Sequence, residues 1–130
     1  MLNKENYYKY LFLIGAVWNV ILGLAFILTS IFMLETGFDL FGVIVPSSLM
    51  FYHLFFGAVI IFGVGYYLVS VDLDKNHGVV IIGVIAKIWV FVITGYYFFI
   101  GDINILGVAP AVGDLIFAIL FIEFLVNYER

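Results

Sequence analysis

The chain has 130 residues, of which 66% are hydrophobic and 11% are charged, and its mean hydropathy is +1.25. Because a soluble domain of this size cannot bury so much apolar surface, the composition indicates an integral membrane protein. The net charge of −4 provides no basic surface for nucleic acid, and the lack of cysteine excludes disulfides, thiolate metal sites and cysteine nucleophiles.

Four apolar runs follow one another along the chain, each long enough to cross a hydrocarbon core about 30 Å thick as an α-helix. They predict an all-α fold, an integral membrane antiparallel four-helix bundle, with spans over residues 10–33, 49–70, 78–100 and 108–127. The whole chain, residues 1–130, then forms one transmembrane domain. The connection at residues 34–48 is too short and too interrupted to span, and we expect it to lie along the membrane interface.

The basic residues predict the orientation of this bundle. The two connections on one side, residues 34–48 and 101–107, contain no Lys or Arg. The side that holds both termini carries four basic residues, which are Lys4, Lys9, Lys75 and Arg130. By the positive-inside rule, we expect both the N and the C terminus to be cytoplasmic.

Apart from hydroxyl groups, four polar side chains lie well inside the predicted spans: Asn19, His53, Lys87 and Asp114. Each has a small residue one turn away on its own helix face, a pattern that lets helices approach closely, so all four are expected to point into the bundle. A lysine at this depth costs roughly 2.5–3.5 kcal/mol and requires a partner. At about 1.5 Å rise per residue, Lys87 and Asp114 differ in height by roughly 7 Å, which a lysine side chain nearly covers. We therefore predict a Lys87–Asp114 ion pair or water-bridged pair, with Asn19 beside the lysine and His53 above the aspartate.

This polar cluster has a structural and a functional interpretation. In the structural one, Lys87 and Asp114 neutralise each other and hold the third span against the fourth. Asn19 then contributes an interhelical hydrogen bond. In the functional one, the two charges lie in an outward-facing pocket and bind a polar head group or relay protons. His53 is either part of that pocket or an interfacial residue beside Tyr52.

Aromatic residues and peripheral polar groups complete the candidate set. Trp18 and Trp89 lie deep in their spans, where they either pack in the core or line a pocket for a flat ligand. Tyr66 is one of two polar groups that we expect in the cytoplasmic half below Lys87, and Glu123 is the other. We expect Glu123 to extend towards the cytoplasmic side.

The remaining motifs do not predict a reaction. His77 follows two aspartates in residues 71–77, a pattern more typical of a solvated turn than of a metal site. No Ser-His-Asp or paired-carboxylate arrangement indicates hydrolysis. The sequence therefore specifies no catalytic residue and no metal ligand, and it favours a protein that is not an enzyme.

Several short motifs lie one after another along most of residues 18–116, and they are the basis of a resemblance to a known family. They are Trp18-Asn19, Phe38 to Gly42 with Pro46, Gly63 to Tyr66, Asp72 with His77, Gly83 to Lys87, and Gly113 to Leu115. In their order and spacing they resemble a family of small, uncharacterised bacterial four-helix membrane proteins that is loosely akin to the DoxX-like group. The resemblance implies a location in the bacterial inner membrane and places Asn19, Lys87 and Asp114 on motif positions.

The sequence thus leads to two functional hypotheses. The first is a membrane protein that binds a lipid-like or quinone-like molecule, or acts as an accessory subunit of a larger membrane complex, through an intrabundle polar cluster. The residues assigned to this cluster are Asn19, His53, Lys87, Asp114, Tyr66, Trp18 and Trp89. The alternative is a small transporter or proton-coupled carrier that uses the same Lys/Asp pair and works as a homodimer. Under both hypotheses the protein lies in the lipid bilayer. The candidate ligand is a quinone or a lipid.

Overall fold

The computed structural model describes residues 3–128 of the chain, and all of its regular structure in that range is helical. The helices are α1 (Lys4–Phe32), α2 (Leu34–Leu40), α3 (Met50–Val71), α4 (His77–Phe99) and α5 (Ile105–Asn127). The four longer helices, α1, α3, α4 and α5, are long and apolar enough to cross a membrane. The predicted all-α class and the predicted number of candidate spans are therefore confirmed. Arg130, which entered the orientation argument, lies outside the described residues.

Two helices begin earlier than predicted because a polar side chain caps them. The side chain of Asn3 accepts a hydrogen bond from the Asn6 backbone N–H at 2.8 Å, so α1 begins at Lys4 instead of residue 10. The side chain of Asn104 accepts one from the Gly107 N–H at 3.2 Å, so α5 begins at Ile105 instead of residue 108. Asparagine is a favoured residue at this position because its side-chain oxygen satisfies a free backbone donor.

The connection between α1 and α3 contains the short helix α2 and folds back onto the molecule. Phe38 of α2 is buried, and its ring lies 5.1 Å from the ring of Tyr52 in α3, centroid to centroid. At the end of α2, the Asn104 side chain donates to the Leu40 carbonyl oxygen, and the Asn104 backbone N–H donates to the Phe41 carbonyl oxygen, both at 2.8 Å. Gly42, with φ of +69°, allows the chain to turn away beside Asn104. This connection is thus attached to α3 through Phe38 and to the start of α5 through Asn104.

The long helices pack in two principal pairs, α1 with α3 and α4 with α5. Glycines bring α1 and α3 close together, because a Cβ added at Gly63 would lie 3.0 Å from the Ala16 carbonyl oxygen. A Cβ added at Gly23 would lie 2.9 Å from the Phe56 carbonyl oxygen. Gly57, the small residue one turn after His53, has no neighbour within 4 Å of the position of an added Cβ.

The packed core lies at the end of the molecule where α1 begins and α5 ends. Its fully buried large side chains are Tyr8, Tyr66, Phe12, Phe121, Phe124, Val69 and Val80. Phe12 stacks on Phe121 at 4.6 Å and meets the edge of Phe124 at 4.8 Å, so aromatic contacts join α1 to α5 here. This end of the molecule is filled by side chains, and the polar cluster lies above it.

A pair of matched alanine substitutions in α3 tests the close approach of α1 and α3. We expect Gly63→Ala to lower the free energy of unfolding by about 1–3 kcal/mol, because its Cβ would press on backbone that cannot easily move. Gly57→Ala in the same helix adds the same methyl group to open space and should leave stability unchanged or slightly higher. Unfolding of the detergent-solubilised variants, followed by circular dichroism, measures both. Equal losses in the two variants would contradict the close packing at Gly63.

Candidate functional site

The centre of the site is an ion pair between α4 and α5. Lys87 Nζ lies 2.8 Å from Asp114 Oδ1, and the two side chains are only 4% and 12% exposed. The predicted Lys87–Asp114 pair is therefore confirmed, as a direct contact. Because the two charges are opposite and in contact, each compensates for much of the cost of removing the other from water.

Asn19 extends the pair to the other two long helices. Its Oδ1 accepts a hydrogen bond from Lys87 Nζ at 2.9 Å, and its Nδ2 donates to the Val59 carbonyl oxygen in α3 at 3.0 Å. The predicted position of Asn19 beside the lysine is confirmed. Both ends of the amide are used, so this one residue of α1 connects Lys87 on α4 to the backbone of α3.

Trp18 contributes a hydrogen bond that the sequence did not predict. Its indole Nε1 donates to Asp114 Oδ1 at 3.1 Å, so this oxygen accepts from both Lys87 and Trp18. Room for the indole comes from Gly113, where an added Cβ would lie 2.5 Å from Trp18 Cζ2. The signal in the sequence is that a tryptophan inside a protein needs an acceptor for its N–H, and Asp114 is the carboxylate at similar depth.

Two aromatic rings enclose the remaining side of the lysine. Lys87 Nζ lies 5.4 Å from the ring centroid of Tyr66 and 5.4 Å from that of Phe117. Both distances are within the range at which a cation is attracted to a ring face. Tyr66 thus belongs to the cluster through its ring, while its hydroxyl lies against the α4 backbone at Gly83.

Two of the candidate residues lie apart from this cluster. A hydrogen bond of 2.9 Å joins His53 Nε2 to Ser30 Oγ in α1, so the contact of this histidine is with Ser30 and not with Asp114. Trp89 is 64% exposed on the outer face of α4, so the expected core packing does not hold for this residue. Lipid tails are as apolar as the interior of a helix bundle, so the hydrophobicity of a side chain does not show whether it faces the lipid or the other helices.

The other polar candidates are also separate from the ion pair. His77 Nε2 bonds the Leu73 carbonyl oxygen at 2.5 Å. Within residues 3–128, no group of three His, Asp or Glu side chains is placed to hold a metal ion. We expected Glu123 to extend towards the cytoplasmic side. Its Oε2 is buried, and no described residue forms a hydrogen bond with that oxygen.

A cavity of about 230 Å³ lies between the helices and includes Asp114 in its wall. All five helices contribute to this cavity, and most of its lining is apolar. Its aromatic side chains are Phe26, Phe38, Phe41, Tyr52, Phe55 and Phe56. A largely apolar cavity with a few polar groups is typical of small-molecule sites.

The carboxylate of Asp114 faces two environments. Its Oδ1 accepts both hydrogen bonds described above, whereas no residue in the range 3–128 donates to its Oδ2. Oδ2 is also not fully enclosed by the surrounding atoms. Since Asp114 lines the cavity, its carboxylate is an acceptor for a molecule there, and Oδ2 is the oxygen that no described residue bonds. The site can therefore hold an apolar molecule and form a hydrogen bond to it.

No family model, curated protein or solved structure matches the chain. The resemblance to the DoxX-like group stays a prediction, and the function is argued from the geometry of the site.

Substitutions in the ion pair test its contribution to stability. We expect Lys87→Met to lower the free energy of unfolding by about 3–5 kcal/mol, because Asp114 is left as an uncompensated buried charge. Adding Asp114→Leu should recover part of that loss, since the double variant contains neither charge. Equilibrium unfolding in detergent, followed by circular dichroism, gives the four free energies of the wild type, the two single variants and the double variant.

A substitution to methionine on the outer face of α4 is the control for this series. Ile85 is exposed, so Ile85→Met should change stability by less than about 0.5 kcal/mol. If the losses from Lys87→Met and Asp114→Leu are additive, the two side chains do not act as a pair.

Proposed function

We propose that this protein is an integral membrane protein that binds a small, largely apolar molecule, lipid-like or quinone-like, in the cavity beside Asp114. The observation that carries the proposal is that Asp114 is a member of the buried ion pair and also lines the cavity. Binding is either its whole activity or its contribution as an accessory subunit of a larger membrane complex.

The proposal includes a membrane topology. We propose an antiparallel four-helix transmembrane bundle in a bacterial inner membrane, of DoxX-like type, with both termini cytoplasmic. The four long apolar helices and the basic residues near the terminal side support it. In this orientation, the packed aromatic core faces the cytoplasm, and the cavity lies in the outer half of the membrane.

Two features favour a binding role for the cluster over a purely structural one. Lys87 and Trp18 both bond Oδ1 of Asp114, and Oδ2 has no donor among the described residues, so this second oxygen is left for a molecule in the cavity. Protein interiors are also close-packed, and voids much larger than a water molecule are few. A cavity of about 230 Å³ with a free charged acceptor in its wall fits a ligand better than a packing defect.

A homodimeric transporter or proton-coupled carrier that uses the same pair is the alternative. The two buried charges favour it, because ionisable groups inside membrane proteins often lie on transport paths. However, the region between Lys87 and the terminal end is filled with apolar and aromatic side chains, among them Phe12, Phe121 and Phe124. This packed core supports binding over a continuous polar path through one copy of the chain.

Matched phenylalanine substitutions in α4 test the proposed binding function. Val90 lines the cavity, so Val90→Phe should fill part of it, whereas Val92 is exposed on the outer face and Val92→Phe should not. Native mass spectrometry of the gently purified wild type is expected to show a bound small molecule. Its occupancy should fall about tenfold or more in Val90→Phe, because forcing a ring into an occupied site costs 1–3 kcal/mol.

The outcomes separate the proposed function from the alternatives. A species that is retained in Val92→Phe and lost in Val90→Phe supports binding in the cavity, and its mass identifies the ligand class. No bound species in the wild type, or equal loss in both variants, would contradict the proposal.

A further inference from the structure

The charge balance of the cluster restricts what the cavity can hold. Lys87 and Asp114 already form a neutral pair, and both side chains are almost completely buried. A cationic or anionic ligand would add an uncompensated charge in a medium of low dielectric constant, where isolated charges are very costly. The cavity therefore favours a molecule with no net charge.

The hydrogen-bonding pattern then restricts the polar group of that molecule. One available acceptor in the lining is Asp114 Oδ2, the carboxylate oxygen that no described residue bonds, and a carboxylate oxygen in an ion pair accepts hydrogen bonds. A carbonyl or ether oxygen placed against it would bring two acceptors together, whereas a hydroxyl would donate to it. Hydrogen bonds to a charged acceptor are also stronger than those between neutral groups.

The shape and lining of the cavity indicate the body of the molecule. Phe26 and Phe56 stack at 4.7 Å with an angle of 11° between their rings, and Phe41 lies 5.4 Å from Phe26. Tyr52 and Phe38 contribute two further rings to the same lining. The volume of about 230 Å³ exceeds the roughly 150 Å³ that holds a benzene molecule, so one ring with a short substituent fits.

We propose that the cavity selects a neutral aromatic ring that carries a hydroxyl group, and that this hydroxyl donates a hydrogen bond to Asp114 Oδ2. The class is that of phenols and hydroquinones, in preference to the matching ethers and quinones. The inference rests on the proposed binding function and adds the chemical class of the ligand.

Four small probes with the same propyl group test this inference. They are 4-propylphenol, 4-propylanisole, propylbenzene and 4-propylcyclohexanol, titrated into the detergent-solubilised wild type by isothermal titration calorimetry. Val90→Phe measures the background from partition into the micelle, because its cavity is partly filled. We expect 4-propylphenol to bind at least about tenfold more tightly than 4-propylanisole, because the ether cannot donate to the carboxylate. The cyclohexanol, which keeps the hydroxyl but is not flat, should bind more weakly than the phenol.

A double substitution locates the acceptor. Asp114→Leu alone leaves Lys87 unpaired and risks misfolding, so the variant to use is Lys87→Met with Asp114→Leu, which contains neither charge. In this variant the preference for phenol over anisole should disappear, while propylbenzene still binds. A preference that persists would place the acceptor on another group and overturn the inference.

The remaining outcomes distinguish the two proposals. Equal affinity for the phenol and the anisole in the wild type would overturn the hydroxyl selection but leave the binding function standing. Equal affinity for the phenol and the cyclohexanol would overturn the aromatic part. If none of the four probes binds above the Val90→Phe background, the proposed ligand class is overturned, and the native mass spectrometry described above decides separately whether the cavity binds a molecule at all.

Discussion

The constraint on which this structure depends is the need to satisfy a lysine buried between apolar helices. Lys87 obtains an anion from α5, an amide oxygen from α1 and two aromatic faces, those of Tyr66 and Phe117. Since α1 packs mainly on α3 and α4 mainly on α5, this cluster is one of the places where the two pairs meet. A single buried charge thus sets the relative position of the four long helices at this level.

The two ends of the molecule differ because their side chains and connections differ. At the terminal end, large rings such as Phe12 and Phe121 fill the space between α1 and α5. At the other end, the cavity lies between the helices, and Phe38 of α2 is part of its lining. Asn104 is important here, because it caps α5 and also holds the chain after α2 through hydrogen bonds to Leu40 and Phe41. With each such bond contributing about 1 kcal/mol, Asn104 stabilises the position of Phe41, whose ring lines the cavity.

Much of this arrangement could be predicted from the sequence, and the parts that could not have physical causes. Lys87 and Asp114 are recognisable because polar groups in apolar runs need partners, and the rise per residue gives their depths. The helix α2 is not recognisable, because seven residues are too few to form a stable helix without tertiary contacts. Trp89 and Trp18 look alike in the sequence, yet one faces outward and the other bonds Asp114. The cavity itself depends on how side chains from five helices pack, which no local pattern encodes.

The structural and the functional interpretation of the ion pair support each other. An isolated carboxyl group in an apolar wall would take up a proton and become neutral, and it could then donate a hydrogen bond as well as accept one. Contact with Lys87 gives the Asp114 carboxylate a cationic partner while the pair as a whole stays neutral. Because Lys87 and Trp18 both bond Oδ1, the other oxygen remains a charged acceptor at the cavity. The lysine therefore stabilises the helix packing and, through the same contact, determines which hydrogen-bonding group the cavity presents.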